Sequence, residues 1–151
     1  MKRFTFRMDR LLHVRSSAEQ QQARQLGDAL RAEEAERGEL ETAEATRERA
    51  KGQLQHLTPN VRRAGVLVSL EHTVDVLESR VSAARTVLNE ATARVETQRD
   101  SYRRARQERR ALERLREQQY ERWAVESARE EQMEIDEVAA RIAPLRRAER
   151  A

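Results

Sequence analysis

With 151 residues the chain is about one domain's worth, but 38% charged residues, 3% aromatics, 4 Gly and 2 Pro cannot make an ordinary globular core. Abundant Ala, Leu, Glu, Arg and Gln give instead the profile of long helices and coiled coils. The 30 basic residues are offset by 27 acidic ones, so a pI near 9.9 argues only weakly for nucleic acid, and the lack of Cys excludes disulfides and thiolate metal sites.

The chain opens on Met1-Lys2-Arg3-Phe4-Thr5-Phe6-Arg7-Met8, with no apolar run of secretory-signal length. Nothing along the sequence approaches the roughly 20 apolar residues of a membrane span. A soluble, cytosolic protein is expected.

Helix one is predicted over about 5–57. A walk in steps of three and four visits Phe4, Met8, Leu11, Ala18, Leu26, Ala29, Leu40, Ala43, Ala50, Leu54 and Leu57. It needs an extra step of four near Gln22, a stutter that would locally unwind a supercoil. Arg15, Gln22, Glu33, Glu36 and Arg47 interrupt the stripe, so this helix must draw its stability from packing on a better one. Phe6 and Leu12 fall off the stripe, which makes the N-terminal end broader in apolar coverage than a seam requires.

The predicted turn covers about 58–65. Pro59 disfavours helix at Thr58 and removes a donor, and Asn60 and Gly65 tolerate turn geometry. A short connection makes the flanking helices antiparallel neighbours.

Helix two is predicted over about 66–143, followed by a frayed tail over 144–151. Alternating steps give Leu67, Leu70, Val74, Leu77, Val81, Ala84, Leu88, Ala91, Val95, Gln98, Tyr102, Ala105, Arg109 and Leu112, all apolar but Gln98 and Arg109. Such a 3.5-residue repeat is a coiled-coil seam. At 1.5 Å per residue helix one would span roughly 80 Å and helix two roughly 115 Å. Folded about the turn, Phe4 then lies near Gln119, and everything past about Tyr120 overhangs. The heptad fails at the same place, where Arg116, Gln119, Glu126 and Glu130 take the seam positions. The expected fold is all-α: a single-domain, long antiparallel two-helix coiled-coil hairpin, its second helix overhanging the first. The overhang from Tyr120 to Ile142 is left to bind another molecule.

Catalytic constellations are missing. There is no phosphate-binding Gly-rich loop, and His13, His56 and His72 lie far apart with no metal-ligand spacing. Carboxylates on an open two-helix surface face water, with nothing to raise a pKa. Neither enzyme, cofactor nor metal is expected. The basic stretch Arg103 to Arg110 has its seam face occupied at Tyr102, Ala105 and Leu112, so it reads as a solvated or partner-facing flank rather than a groove-binding helix. The N-terminal cluster Phe4, Phe6, Met8, Leu11 and Leu12 is either a hydrophobic plug or a docking tip made with Leu112, Leu115, Tyr120 and Trp123.

The Phe-x-Phe-x-Met-x-x-Leu-Leu start, the turn near 60, the segment Leu112-Glu113-Arg114-Leu115 to Tyr120, and Met133 to Arg141 with Asp-Glu-Val-Ala at 136–139 resemble the flagellar export protein FliJ family over nearly the whole chain. The resemblance implies a non-enzymatic stalk of the type III export apparatus, similar to the γ subunit of rotary ATPases. It implies three partners: an export ATPase ring whose assembly and activity the stalk promotes, the cytoplasmic domain of the export-gate membrane protein, and export chaperones that it escorts. It further implies a monomeric rod in the cytoplasm, peripheral to the inner-membrane export apparatus and without membrane insertion.

By the same resemblance the ATPase-facing tip falls on Phe4, Phe6, Met8, Leu11, Leu115, Tyr120, Asp136 and Glu137, with Trp123 added from the helix pairing. The register arithmetic brings the first six together independently. The gate contact falls on Thr73, Leu77, Arg80 and Ala84. Thr73 and Arg80 are more polar than the family pattern, and Leu77 and Ala84 are also seam positions. Three rival readings are a generic coiled-coil scaffold dimerising along its length, the stalk of a virulence-type secretion system, and a nucleic-acid binder using the basic flank.

Overall fold

The computed structural model describes residues 3–57 and 64–148. Two α-helices account for nearly all of them, α1 over Asp9–Leu57 and α2 over Ala64–Ala148. Strong helix formers and the scarcity of Gly and Pro explain such lengths. Most of the predicted turn lies outside the described residues; Ala64 and Gly65 already belong to α2. Helix α2 also runs on past the expected end at 143 as far as Ala148.

Helix α1 begins later than the heptad walk placed it. Residues 3–6 are non-helical and Arg7–Met8 form a turn, closed by the Asp9 amide donating to the Phe6 carbonyl at 3.2 Å. The first helical bond follows, from the Leu12 amide to the Met8 carbonyl at 2.9 Å. Asp9 in the first turn places a negative charge at the positive end of the helix macrodipole.

The chain divides into two compact units, residues 19–105 and residues 1–18 with 106–151. Within the 19–105 unit the helices run antiparallel. Lys51 Nζ meets Glu78 Oε1 at 2.5 Å, Arg85 donates to Glu44 at 2.9 Å, and Thr92 Oγ1 donates to Glu33 Oε1 at 2.9 Å. As the α1 residue number falls, the α2 number rises. Within the other unit Arg15 pairs with Glu108 at 2.8 Å and Phe4 packs on Tyr120, in the same sense.

From Leu70 on, the α2 seam is the one its sequence spells; the Leu67 side chain lies outside the described residues. Each position of the alternating series from Leu70 to Leu112 is buried or half-buried, and nearly all residues between are exposed. Val95 is the most enclosed, at 1% exposure, and the other buried seam residues are Val81, Ala91 and Ala105, with Ala43 on α1. Small side chains at the seam let two backbones approach closely, so the core is thin.

Helix α1 corrects the stutter. Its shielded positions include Leu12, Arg15, Glu19, Gln22, Leu26, Ala29, Glu33, Glu36, Leu40, Ala43, Arg47, Ala50 and Leu54, an unbroken alternation of threes and fours, with Ser16, Ala18, Gly27, Glu44, Thr46, Lys51 and Gly52 half-buried beside it. The apparent extra step came from starting on Leu11; the shielded residue is its neighbour Leu12. The polar residues thus stand on the seam itself. They are tolerated because long side chains reach its edge, as when Glu33 accepts from Arg37 as well as Thr92. One group is not satisfied in this way: the Oε1 of Gln98 is buried without a hydrogen-bond partner.

An unsatisfied buried carbonyl costs about 1–3 kcal/mol. Gln98→Leu is therefore expected to stabilise the helix pair by roughly 1–2 kcal/mol, read as a higher urea midpoint followed by circular dichroism. Beside Lys51, which bonds and attracts it, the carboxyl of Glu78 titrates below its ordinary 4.5. A lowered folded-state pKa favours the folded chain above the ordinary value, and that contribution vanishes as pH falls through the lowered one. The melting temperature of Glu78→Gln should thus lie below that of the parent near neutral pH and converge with it in acid.

Candidate protein-docking site

At the open end of the helix pair the chain's apolar residues change character, from small seam side chains to aromatic rings. Phe4 stands with its ring centroid 5.3 Å from Tyr120 at an interplanar angle of 83°, an edge-on contact, and 5.7 Å from Trp123 at 48°. Tyr120 and Trp123 are themselves 5.7 Å apart, as residues three apart on one helix face should be. Edge-to-face pairs add roughly 0.5–1.5 kcal/mol beyond the area they bury. This is what ties residues 3–8 to α2 without a helix to carry them.

The non-helical start decides which N-terminal residues turn inward. Phe6, off the stripe in a helical reading, is buried. Met8 and Leu11, on the stripe in that reading, are exposed, as are Val14 and Tyr120. Leu115 is half-buried. Phe4, Tyr120 and Trp123 therefore meet as the register arithmetic required, with Phe4 slightly further along α2 than Gln119. Asp136 and Glu137 do not join them: they are thirteen and fourteen residues beyond Trp123, about 20 Å along a helix. Asp136 Oδ1 accepts from Gln132 Nε2 at 2.8 Å, and Glu137 is likewise engaged.

Past Trp123, α2 has no residue of α1 opposite it. Val125, Met133, Ile135 and Val138 are all exposed there, Met133 at 72% and Ile135 at 61%. Ala124, Ala128, Glu131, Ile135 and Val138 continue a heptad alternation, but on a face turned well away from that of Leu112, Gln119 and Trp123. That shift of phase is why the sequence walk met Glu126 and Glu130 where it sought seam residues.

The gate residues separate into two kinds. Thr73 and Arg80 are exposed, the Thr73 hydroxyl donating to the Ser69 carbonyl at 2.9 Å. Leu77 and Ala84 are half-buried seam residues, occupied with α1. An exposed apolar pair that the sequence reading missed lies one residue out of phase, Val76 at 55% and Val87 at 43% exposure. They are eleven residues apart, three turns, and share a face with Arg80 and the exposed Ala83. The detectable signal was the apolar spacing 76, 83, 87 running beside the seam.

Other site classes find little support. Among the described residues no group of three His, Asp or Glu is placed to hold a metal ion, and no helix is long and apolar enough to cross a membrane. In the basic stretch Arg103 pairs with Asp100 and Arg109 with Glu113, while Glu108 takes Arg15. Ala105 is buried and Tyr102 and Arg109 are half-buried, so α1 does occupy one face.

Residues 4–148 match a protein-family model, that of the flagellar FliJ protein. No curated protein and no solved structure matches the chain. With the match spanning all but a few terminal residues, the chain belongs to the FliJ family of flagellar export-associated proteins.

Proposed function

We propose that this chain is a non-enzymatic stalk of the flagellar type III export apparatus, which docks by its open end into the export ATPase ring and promotes ring assembly and hydrolysis. The observation that carries this reading is the aromatic cluster of Phe4, Tyr120 and Trp123, set between exposed Met8 and Leu11 on one side and the exposed overhang of α2 on the other. A tip that only closed a coiled coil would bury its large apolar residues. Here Tyr120 and Met8 remain available, and aromatic side chains with apolar neighbours are the usual anchors of protein interfaces.

The second contact, with the cytoplasmic domain of the export gate, is best placed on the outer face of α2. Thr73 and Arg80 keep their proposed role, while Val76, Ala83 and Val87 take over from Leu77 and Ala84, whose side chains pack on α1. For chaperone escort, and for a cytoplasmic place beside the inner membrane, the resemblance to the family is the sole support; no surface is assigned to the chaperones. The flagellar family match favours this reading over a virulence-type stalk or a generic scaffold.

Hydrolysis by the purified cognate export ATPase, with and without this chain, tests the first contact; no binding and no change in rate removes the proposal. Loss of an aromatic anchor typically costs about 2 kcal/mol or more in binding. Tyr120→Ala is thus expected to weaken ATPase binding by roughly thirtyfold, with helical content unchanged. For the second contact, Val76→Asp with Val87→Asp should abolish capture of the gate domain and leave the melting temperature near the parent value. Leu77→Ala should do the reverse, leaving capture of the gate domain in place while lowering the melting temperature, through a core-truncation loss of roughly 2–4 kcal/mol in stability.

A further inference from the structure

We infer that the arginine face of α2 around Arg110 is a membrane-surface contact, which lays this part of the helix on an anionic phospholipid bilayer. The inference goes beyond the family reading, which supplies no lipid-binding surface, and it stands whether or not the ring contact does.

Arg106, Arg110 and Arg114 follow one another at four-residue steps, so their guanidinium groups form one row along α2. All three are exposed, and among the described residues none of them pairs with a carboxylate. The bond within the row, from Arg114 Nε to the Arg110 carbonyl at 3.4 Å, neutralises no charge. The carboxylates nearest in sequence are already taken: Asp100 by Arg103 at 3.2 Å, Glu108 by Arg15 at 2.8 Å, and Glu113 by Arg109. The basic excess is general in this unit, where residues 3–18 and 106–116 hold nine arginines against three carboxylates.

What the row lacks selects its partner. No apolar side chain stands in it: Ala105 and Leu112 are turned into the seam. The residue that shares the face, three before Arg110 and seven before Arg114, is the exposed Gln107. A protein interface is anchored at its core by aromatic and apolar residues. A single-stranded nucleic acid needs aromatic platforms for its bases, and the nearest ring in sequence, Tyr102, is half-buried in the seam. A duplex is read by a helix that enters its groove, and here α1 stands along the seam face. An anionic bilayer asks for none of these. Its plane of phosphates meets every rung of a straight row at once, and clustered arginines are drawn to it within a Debye length.

The remainder of α2 gives the contact a direction. Residues 117–140 carry eight carboxylates against Arg122 and Arg129. The surface that attracts the row repels this overhang, so its exposed Met133 and Ile135 stay on the aqueous side. A chain held in this way keeps its overhang available for a protein partner.

Cosedimentation of the full chain with vesicles tests the inference without any protein partner. Binding is expected to vesicles of equal parts phosphatidylcholine and phosphatidylglycerol, and not to phosphatidylcholine alone. It should vanish at about 0.5 M salt, where screening is nearly complete. The triple variant Arg106→Gln, Arg110→Gln and Arg114→Gln should bind roughly a hundredfold more weakly, at parental helical content. Removing the same charge elsewhere, by Arg7→Gln, Arg10→Gln and Arg104→Gln, should leave binding near the parental value. Since the parent has no Cys, a fluorophore placed by Gln107→Cys should be shielded from an aqueous quencher on the vesicles. One placed by Glu134→Cys should not. No binding to the anionic vesicles, equal binding to the uncharged ones, equal losses in the two triple variants, shielding at Glu134→Cys alone, or tighter binding to random DNA or RNA would each overturn the proposal.

Discussion

Everything in this molecule depends on a single apolar seam along α2, from Leu70 to Leu112. Helix α1 cannot hold itself in place: charged or amide side chains (Arg15, Glu19, Gln22, Glu33, Glu36 and Arg47) break its seam repeatedly, and an isolated amphipathic helix gains its stability from the surface it packs on. The α2 stripe supplies that surface. Its fully buried residues are the small Val81, Ala91, Val95 and Ala105, and with only two helices the enclosed core is thin. The charged α1 seam residues Arg15, Glu33 and Arg47 reach sideways out of this thin layer. They bond across the pair or along their own helix, as Arg15 does to Glu108 and Arg47 to Glu48.

A seam of this kind also determines which residues are left for partners. A residue one position out of phase with the stripe is turned about 100° away from it. Leu77 and Val76 are neighbours in sequence, yet one packs on α1 and the other faces solvent. Leu12 and Leu11 divide in the same manner at the start of α1. The apolar residues that the seam cannot use are the ones left exposed on a two-helix protein. Among the described residues such exposed apolar side chains include Val76 and Val87 on the outer face of α2, Val66 and Val68 near its start, Leu30 on α1, and Met8, Leu11, Val14 and Tyr120 at the open end.

That open end is built by a different interaction. Four of the five aromatic residues stand within the N-terminal segment and the stretch of α2 that meets it. Phe4, Tyr120 and Trp123 form a cluster of rings, and Phe6 is buried in the non-helical segment between Phe4 and α1. Ring contacts replace the heptad where the heptad stops, and beyond them α2 carries on with its apolar face turned to a new direction.

Much of this was legible without coordinates. Helical content, the α2 seam position by position, the antiparallel pairing and the meeting of Phe4 with Tyr120 all follow from local rules: helix propensity, a 3.5-residue apolar period and a fixed rise per residue. Those rules fail where a side chain's direction depends on something outside its own helix. The N-terminal residues leave helical geometry, so a helical walk misassigned Phe6, Met8 and Leu11 and invented a stutter near Gln22. The α1 seam is too polar for an apolar count to hold its phase throughout; Gln22 and Glu36 read as interruptions of the stripe, and only the facing helix shows that Glu19 and Leu12 lie on it. Periodicity by itself determined that this chain makes two paired helices with a surplus of α2. Which apolar residues are spent in that pairing, and which are left exposed, was decided by tertiary packing, because burial belongs to the pair of helices and not to either one.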